Sequence, residues 1–99
     1  MLLARASISL IVVSLTAVAG DIIQYPVDVG TFIARRDGCD HFRGEPPYDE
    51  ARAKFIETNI IELCTDTDTQ LKALKEKYVN EDSITERLST YEVKIELTK

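Results

Sequence analysis

Residues 37–64 read DGCDHFRGEPPYDEARAKFIETNIIELC, and they hold both cysteines, the single histidine, two of the three prolines and the clearest helical pattern of the 99-residue chain. Within it, Glu45, Pro46 and Pro47 stop any helix that reaches them, because each proline fixes its own φ and pushes its predecessor toward extended geometry. A helix restarts near Tyr48 or Asp49. Acidic Asp49 and Glu50 suit the positive end of its dipole, Glu50 stands four residues before Lys54, and Phe55, Ile56, Ile60, Leu63 and Cys64 make one apolar stripe.

Two cysteines in an oxidising compartment most simply form one disulfide, Cys39 to Cys64, closing a loop of 26 residues counted inclusively. The bond constrains the path. Cys64 lies roughly 24 Å up the second helix at about 1.5 Å per residue, so Cys39 has to travel up with it. Running residues 39–47 as an extended return strand, antiparallel along that helix, satisfies the distance; a simple helical hairpin is expected to leave the cysteines out of register.

Outward from this stretch the pattern stays helical. Upstream, Asp28 as a candidate N-cap is followed by Val29, Phe32, Ile33 and Arg36 at helical spacing, with Arg43 and Gly44 as the stop and an irregular segment 37–44 as the competing reading. Residues 21–29, with Pro26 and alternating Tyr25, Val27 and Val29, read as an extended arm. Downstream, Thr67 with Gln70 and Ser83 with Glu86 have capping-box spacing. They predict a helix over 68–78, carrying Leu71, Leu74 and Tyr78, and another carrying Ile84, Leu88 and Tyr91. The favoured continuation of the latter is helix with a frayed tail, although Tyr91, Val93, Ile95 and Leu97 also alternate like a strand. The expected fold is all-α: a small three- to four-helix bundle stapled by one disulfide, with an extended N-terminal arm.

The first twenty residues, MLLARASISLIVVSLTAVAG, set one basic residue before an apolar run and small residues at Ala17 and Ala19. This is the pattern of a secretory signal peptide cleaved after Ala19, leaving residues 20–99 as one domain. The apolar run is shorter than the ~20 residues that cross a bilayer, so stable membrane insertion is not expected. Removing Arg5 takes the formal charge from −5 to −6. A surplus of acid disfavours nucleic acid or anionic lipid, whose phosphates call for basic surface.

Among chemistry-bearing residues, Cys39, His41 and Cys64 with a nearby acid are a conceivable zinc set, but oxidation of both thiols would withdraw them. Cys39 and His41 lie two apart, a spacing that does not face on a helix, and first-turn acids such as Asp49 are explained by capping. Asp66 and Asp68 lack the glycine and closing glutamate of a calcium loop. Lys72, Lys75 and Lys77 with nearby acids read as a solvated face or a weak docking rim. No catalytic residue, metal or cofactor is therefore expected. The candidate site is a polar cluster of His41, Arg43, Glu45, Asp49 and Arg52, which serves either to bond the connection to the helix internally or as a recognition surface.

Over residues 32–78, about half the chain, the sequence resembles a family of small, largely uncharacterised, exported proteobacterial proteins. They share the Cys-x-His-Phe-x-Gly-Glu stretch present here as Cys39, His41, Phe42, Gly44 and Glu45, with a second cysteine, here Cys64, at the end of the next helix. The resemblance implies an exported, mostly helical protein and brings no activity. The functional expectation is a periplasmic or secreted, non-enzymatic binding or regulatory module with a protein partner. The alternative is a structural or accessory subunit of an envelope complex docking through its arm; metal handling by the Cys/His cluster is the third reading.

Overall fold

The computed structural model describes residues 24–96. The signal-peptide reading and positions 21–23 of the arm lie outside them. Four helices follow in order: α1 (Val27–Arg43), α2 (Glu50–Cys64), α3 (Thr67–Lys77) and α4 (Asp82–Leu88), with no strand among the described residues. The all-α, disulfide-stapled bundle is what the apolar spacings predict. No helix among the described residues is long and apolar enough to cross a membrane.

The core is built from one face of α1 (Val29, Phe32), the inner face of α3 (Leu71, Leu74), α4 (Ile84, Leu88) and Tyr91 just beyond it. Tyr25, Ile33 and Tyr78 pack on its edge. The Phe32 and Tyr91 rings meet edge to face with centroids 5.6 Å apart. Of the arm, residues 24–26 are non-helical, whereas Val27, Asp28 and Val29 already belong to α1. Pro26 stands at the N-cap, where its missing N–H costs nothing because the first helical donors have no intrahelical acceptor.

Packing of α2 differs from the expected path. Contacts run Arg35 with the end of α2, then Cys39 with Cys64, Phe42 with Phe55 and Glu45 with Arg52, so α1 and α2 form an antiparallel hairpin. The return strand drawn for residues 39–47 is helical through Arg43, and a helical hairpin does bring the cysteines together, at a Cα–Cα distance of 5.1 Å. The reason is unequal arms. Cys39 lies within about 6 Å of the end of α1, while Cys64 lies about 21 Å from the start of α2. The difference, about 15 Å, is within the reach of the six-residue connector 44–49, which the prolines keep extended.

The hairpin is closed by specific polar contacts. Arg35 Nη2 donates to the carbonyls of Glu62 (3.0 Å) and Thr65 (2.8 Å), serving acceptors that the last turn of α2 leaves open. Gly38 lets the helices approach: a Cβ there would stand 3.1 Å from Leu63 Cδ1. At the start of α2, Asp49 Oδ1 accepts the Arg52 N–H at 2.7 Å, the expected N-cap.

Neither expected capping box forms. Asp66, at φ 67°, is the N-cap of α3 and turns the chain sharply, so Thr67 becomes the first helical residue and its hydroxyl donates back to the Cys64 carbonyl. Helix α4 starts at Asp82 without a side-chain cap and ends at Leu88, so its expected continuation is also corrected. Residues 92–96 form neither helix nor strand. They lie as a strap: the Glu92 carbonyl accepts from Arg36 Nη2 (2.9 Å), and the amides of Ile95 and Glu96 donate to the Asp68 carboxylate. In return Glu96 Oε1 accepts the Asp68 N–H at 2.9 Å.

Two tertiary contacts make stability depend on pH. Asp28 accepts from Lys77 Nζ and the Tyr78 hydroxyl, both at 2.7 Å, and the Lys77 hydrogen bond is the main reason its carboxyl lies below the usual range. A depressed carboxylate stabilises the fold above the unfolded value of about 4 and loses that contribution as pH falls through the folded value. Tyr91 is opposite in sense. Burial, then its 2.6 Å bond to Asp37, pushes its hydroxyl up to about 12, so its contribution is present below the unfolded value of about 10 and fades as pH rises through the folded one. Thermal melts across pH are expected to show Asp28→Asn flattening the acid limb only and Tyr91→Phe the alkaline limb only.

Candidate functional site

The hairpin corner gathers side chains from the last turn of α1, the connector and the first turns of α2. Arg52 holds Glu45 in a two-pronged pair, Nε to Oε2 at 2.8 Å and Nη2 to Oε1 at 2.6 Å. The guanidinium hydrogen bond is the chief cause of a Glu45 carboxyl below the usual range, and the same bond raises Arg52. His41 Nε2 stands 3.7 Å from Glu45 Oε1, and Asp49 serves α2 as its cap. Four of the five candidate residues therefore share the corner. Arg43 does not: its Nη1 donates to Asp40 Oδ1 at 2.9 Å and its Nη2 lies 3.8 Å from Glu92, toward the strap.

Three aromatic residues complete the corner. The His41 ring meets Phe42 edge to face (5.1 Å between centroids), Phe42 meets Phe55 likewise (5.8 Å), and the Arg52 guanidinium carbon lies 4.8 Å from the centre of the Phe55 ring. Phe55 nevertheless keeps 49% of its surface exposed, and Tyr48, in the connector, keeps 80%. The sequence reading placed Phe55 on the apolar stripe of the second helix. Its pairing with Phe42 depends on the register of α1 against α2, which no local pattern encodes; the residue types alone, two phenylalanines flanking the proline turn, were the available signal.

The other candidate features are structural. Cys39 and Cys64 are bonded to each other, so neither presents a thiolate. Among the described residues no three of His, Cys, Asp and Glu come together as a metal site. Asp68 is occupied with the strap, and Lys77 with Asp28. Of the apolar arm, Tyr25 packs on the core and Val29 is buried, leaving Val27 as its exposed large apolar side chain among the described residues. Comparison with protein-family models, with curated proteins and with solved structures found no match to this chain.

The corner offers a half-exposed run of rings, His41, Phe42 and Phe55, with the Arg52 guanidinium against the last of them. Arginine and aromatic residues carry most of the energy of protein interfaces, since they bury large area at low conformational cost.

Proposed function

We propose that this protein is an exported, non-enzymatic binding module, periplasmic or secreted, that recognises another protein through the α1–α2 corner. The observation that carries the reading is the exposed Phe55 ring, held from one side by Phe42 and from another by Arg52, itself fixed by Glu45. A side chain so held loses little freedom when a partner covers it. Export is supported by the signal-like leader, by the disulfide and by the resemblance over residues 32–78 to exported proteobacterial proteins. The His41–Glu45–Arg52 array supplies charged rim contacts that orient a partner.

The test is photo-crosslinking in native envelopes from position 48, on the corner, and from position 72, on α3 and away from it. A discrete adduct from position 48, lost with Phe55→Ala and Arg52→Ala, is the expected result. Both variants are expected to keep the helical circular dichroism spectrum of the parent, because Phe55 is half exposed and the ion pair partly so. Adducts equal at both positions, or unchanged in the variants, would remove the corner as the recognition surface.

A further inference from the structure

The bond between Cys39 and Cys64 is enclosed unequally at its two ends. Cys39 keeps none of its surface, whereas Cys64, at the end of α2, keeps 8% and lines a trough of about 290 Å³. Ile61 and Thr65 flank it there from the α2 side, Ile95 and Glu96 from the strap, and Arg43 is the single cation of that lining among the described residues. A thiolate cuts a disulfide by attacking one of its sulfurs, and access decides which sulfur is attacked.

The central apolar cluster is assembled from α1, α3, α4 and Tyr91, with no member from α2. Besides the disulfide, α2 is tied to α1 by Arg35 at its last turn, by the Phe42–Phe55 ring contact and by the Glu45–Arg52 pair at its start. Cutting the bond therefore frees one peripheral helix without first taking the core apart, and the reaction does not have to wait for global unfolding.

We infer that Cys64 is a site of S-thiolation, taking a small thiol from the trough side while the protein stays folded. The incoming thiolate attacks Cys64 Sγ and forms a mixed disulfide with it; the Cys39–Cys64 bond breaks, its electron pair leaves on Cys39 Sγ, and that sulfur takes a proton from water. The sulfur of the thiol is oxidised and Cys39 is reduced, so the exchange balances with no further oxidant or reductant. Arg43 stands beside the path with a third of its side chain open, its Nη1 on Asp40 and its Nη2 3.8 Å from Glu92, while Glu96 Oε1 is taken up by the Asp68 N–H. The exchange makes the bond a covalent switch, with α2 tethered when Cys64 is paired to Cys39 and released when Cys64 carries the thiol.

The test treats the oxidised protein with reduced glutathione at about pH 8, near the ordinary thiol value, quenches in acid, blocks the freed thiols with a maleimide and locates the glutathione by peptide mass spectrometry. Without denaturant, glutathione on Cys64 with maleimide on Cys39 is expected to exceed the reverse pair about tenfold or more. Arg43→Glu replaces the cation of the trough by a carboxylate. It is expected to slow exchange with anionic glutathione about threefold or more, but not exchange with cysteamine, a cationic thiol. An even split between the two cysteines, or glutathione chiefly on Cys39, would overturn the proposal, and so would a bond cut only at denaturant concentrations that unfold the chain. Slowing of both thiols alike by Arg43→Glu, or of neither, would remove the trough as the route and equally overturn it.

Discussion

Replacing Cys39 and Cys64 together by alanine is expected to lower the stability of the protein by about 3–4 kcal/mol, the loop-closure entropy that the cross-link removes from the unfolded chain. For a domain of this size that corresponds to a fall in melting temperature on the order of 15–25 °C. The loss should not be uniform. The central apolar cluster is made by α1, α3, α4 and Tyr91, whereas α2 adds only Ile56 and Cys64 to the buried hydrophobic set and sits outside that cluster. Without the bond, α2 keeps Arg35 at its C-terminal end and the Glu45–Arg52 pair at its start. Hydrogen exchange on the alanine variant is therefore expected to show the amides of α2 opening well before those of α1 and α3. Equal loss of protection in all helices would mean that α2 is part of a single cooperative unit, and a melting point within a few degrees of the parent would mean that packing, not the bond, holds it.

The second large effect belongs to Arg36. Its guanidinium is fully buried between α1 and the strap, with Nε on Asp40 Oδ1 (3.1 Å), Nη2 on the Glu92 carbonyl (2.9 Å) and the Tyr91 ring beneath it, 5.4 Å from the guanidinium carbon. Nη1 finds no acceptor among the described residues. Truncation to alanine opens a void of several methylene groups and leaves the Glu92 carbonyl without its donor, and a loss of about 2–4 kcal/mol is expected. Arg36→Met keeps most of the volume but loses the same donor to the Glu92 carbonyl, so it is expected to recover the part of the loss that comes from the void and not the part that comes from the bonds. Urea unfolding of the two variants should separate them, with methionine between alanine and the parent. Indistinguishable midpoints would show that the guanidinium's bonds, and not the space it fills, are what matter. Exchange of the Ile95 and Glu96 amides, which Asp68 protects, reads the release of the strap directly.

Much of this architecture is legible in the residues. The even cysteine count, the proline stop at 46–47 and the apolar spacing of Val29, Phe32, Leu71, Leu74, Ile84 and Leu88 are local signals, and they yield the disulfide, the break between α1 and α2, and the buried faces. Even Arg36 stands in phase with Val29 and Phe32, a charge on an apolar stripe. What was not legible depends on non-local geometry. The hairpin path follows from the unequal distances of Cys39 and Cys64 from the turn, which are known only once α1 is seen to run to Arg43. The alternation of Tyr91, Val93 and Ile95 was divided between helix and strand, while the segment adopts neither because its backbone groups are taken by side chains of α1 and α3. Thr67 and Ser83 have the spacing of caps, yet the chain enters α3 through the left-handed Asp66 and enters α4 two residues earlier than Ser83 would set it, through Glu81. In the candidate site, the charged members were found from composition and spacing, whereas Phe42 and Phe55 required the pairing of two helices.

The strap also has a bearing on when this fold can exist. Helix α1 finds its lasting partners far along the chain: Asp28 with Tyr78, Asp37 with Tyr91 and Arg36 with Glu92 are separated by 50, 54 and 56 residues. A growing polypeptide that has delivered α1 and α2 holds a hairpin with its main apolar face still uncovered and its buried arginine unmatched. Cooperative closure waits for residues 91–96, so the contacts that bury Arg36 and cover α1 form only once that segment is available.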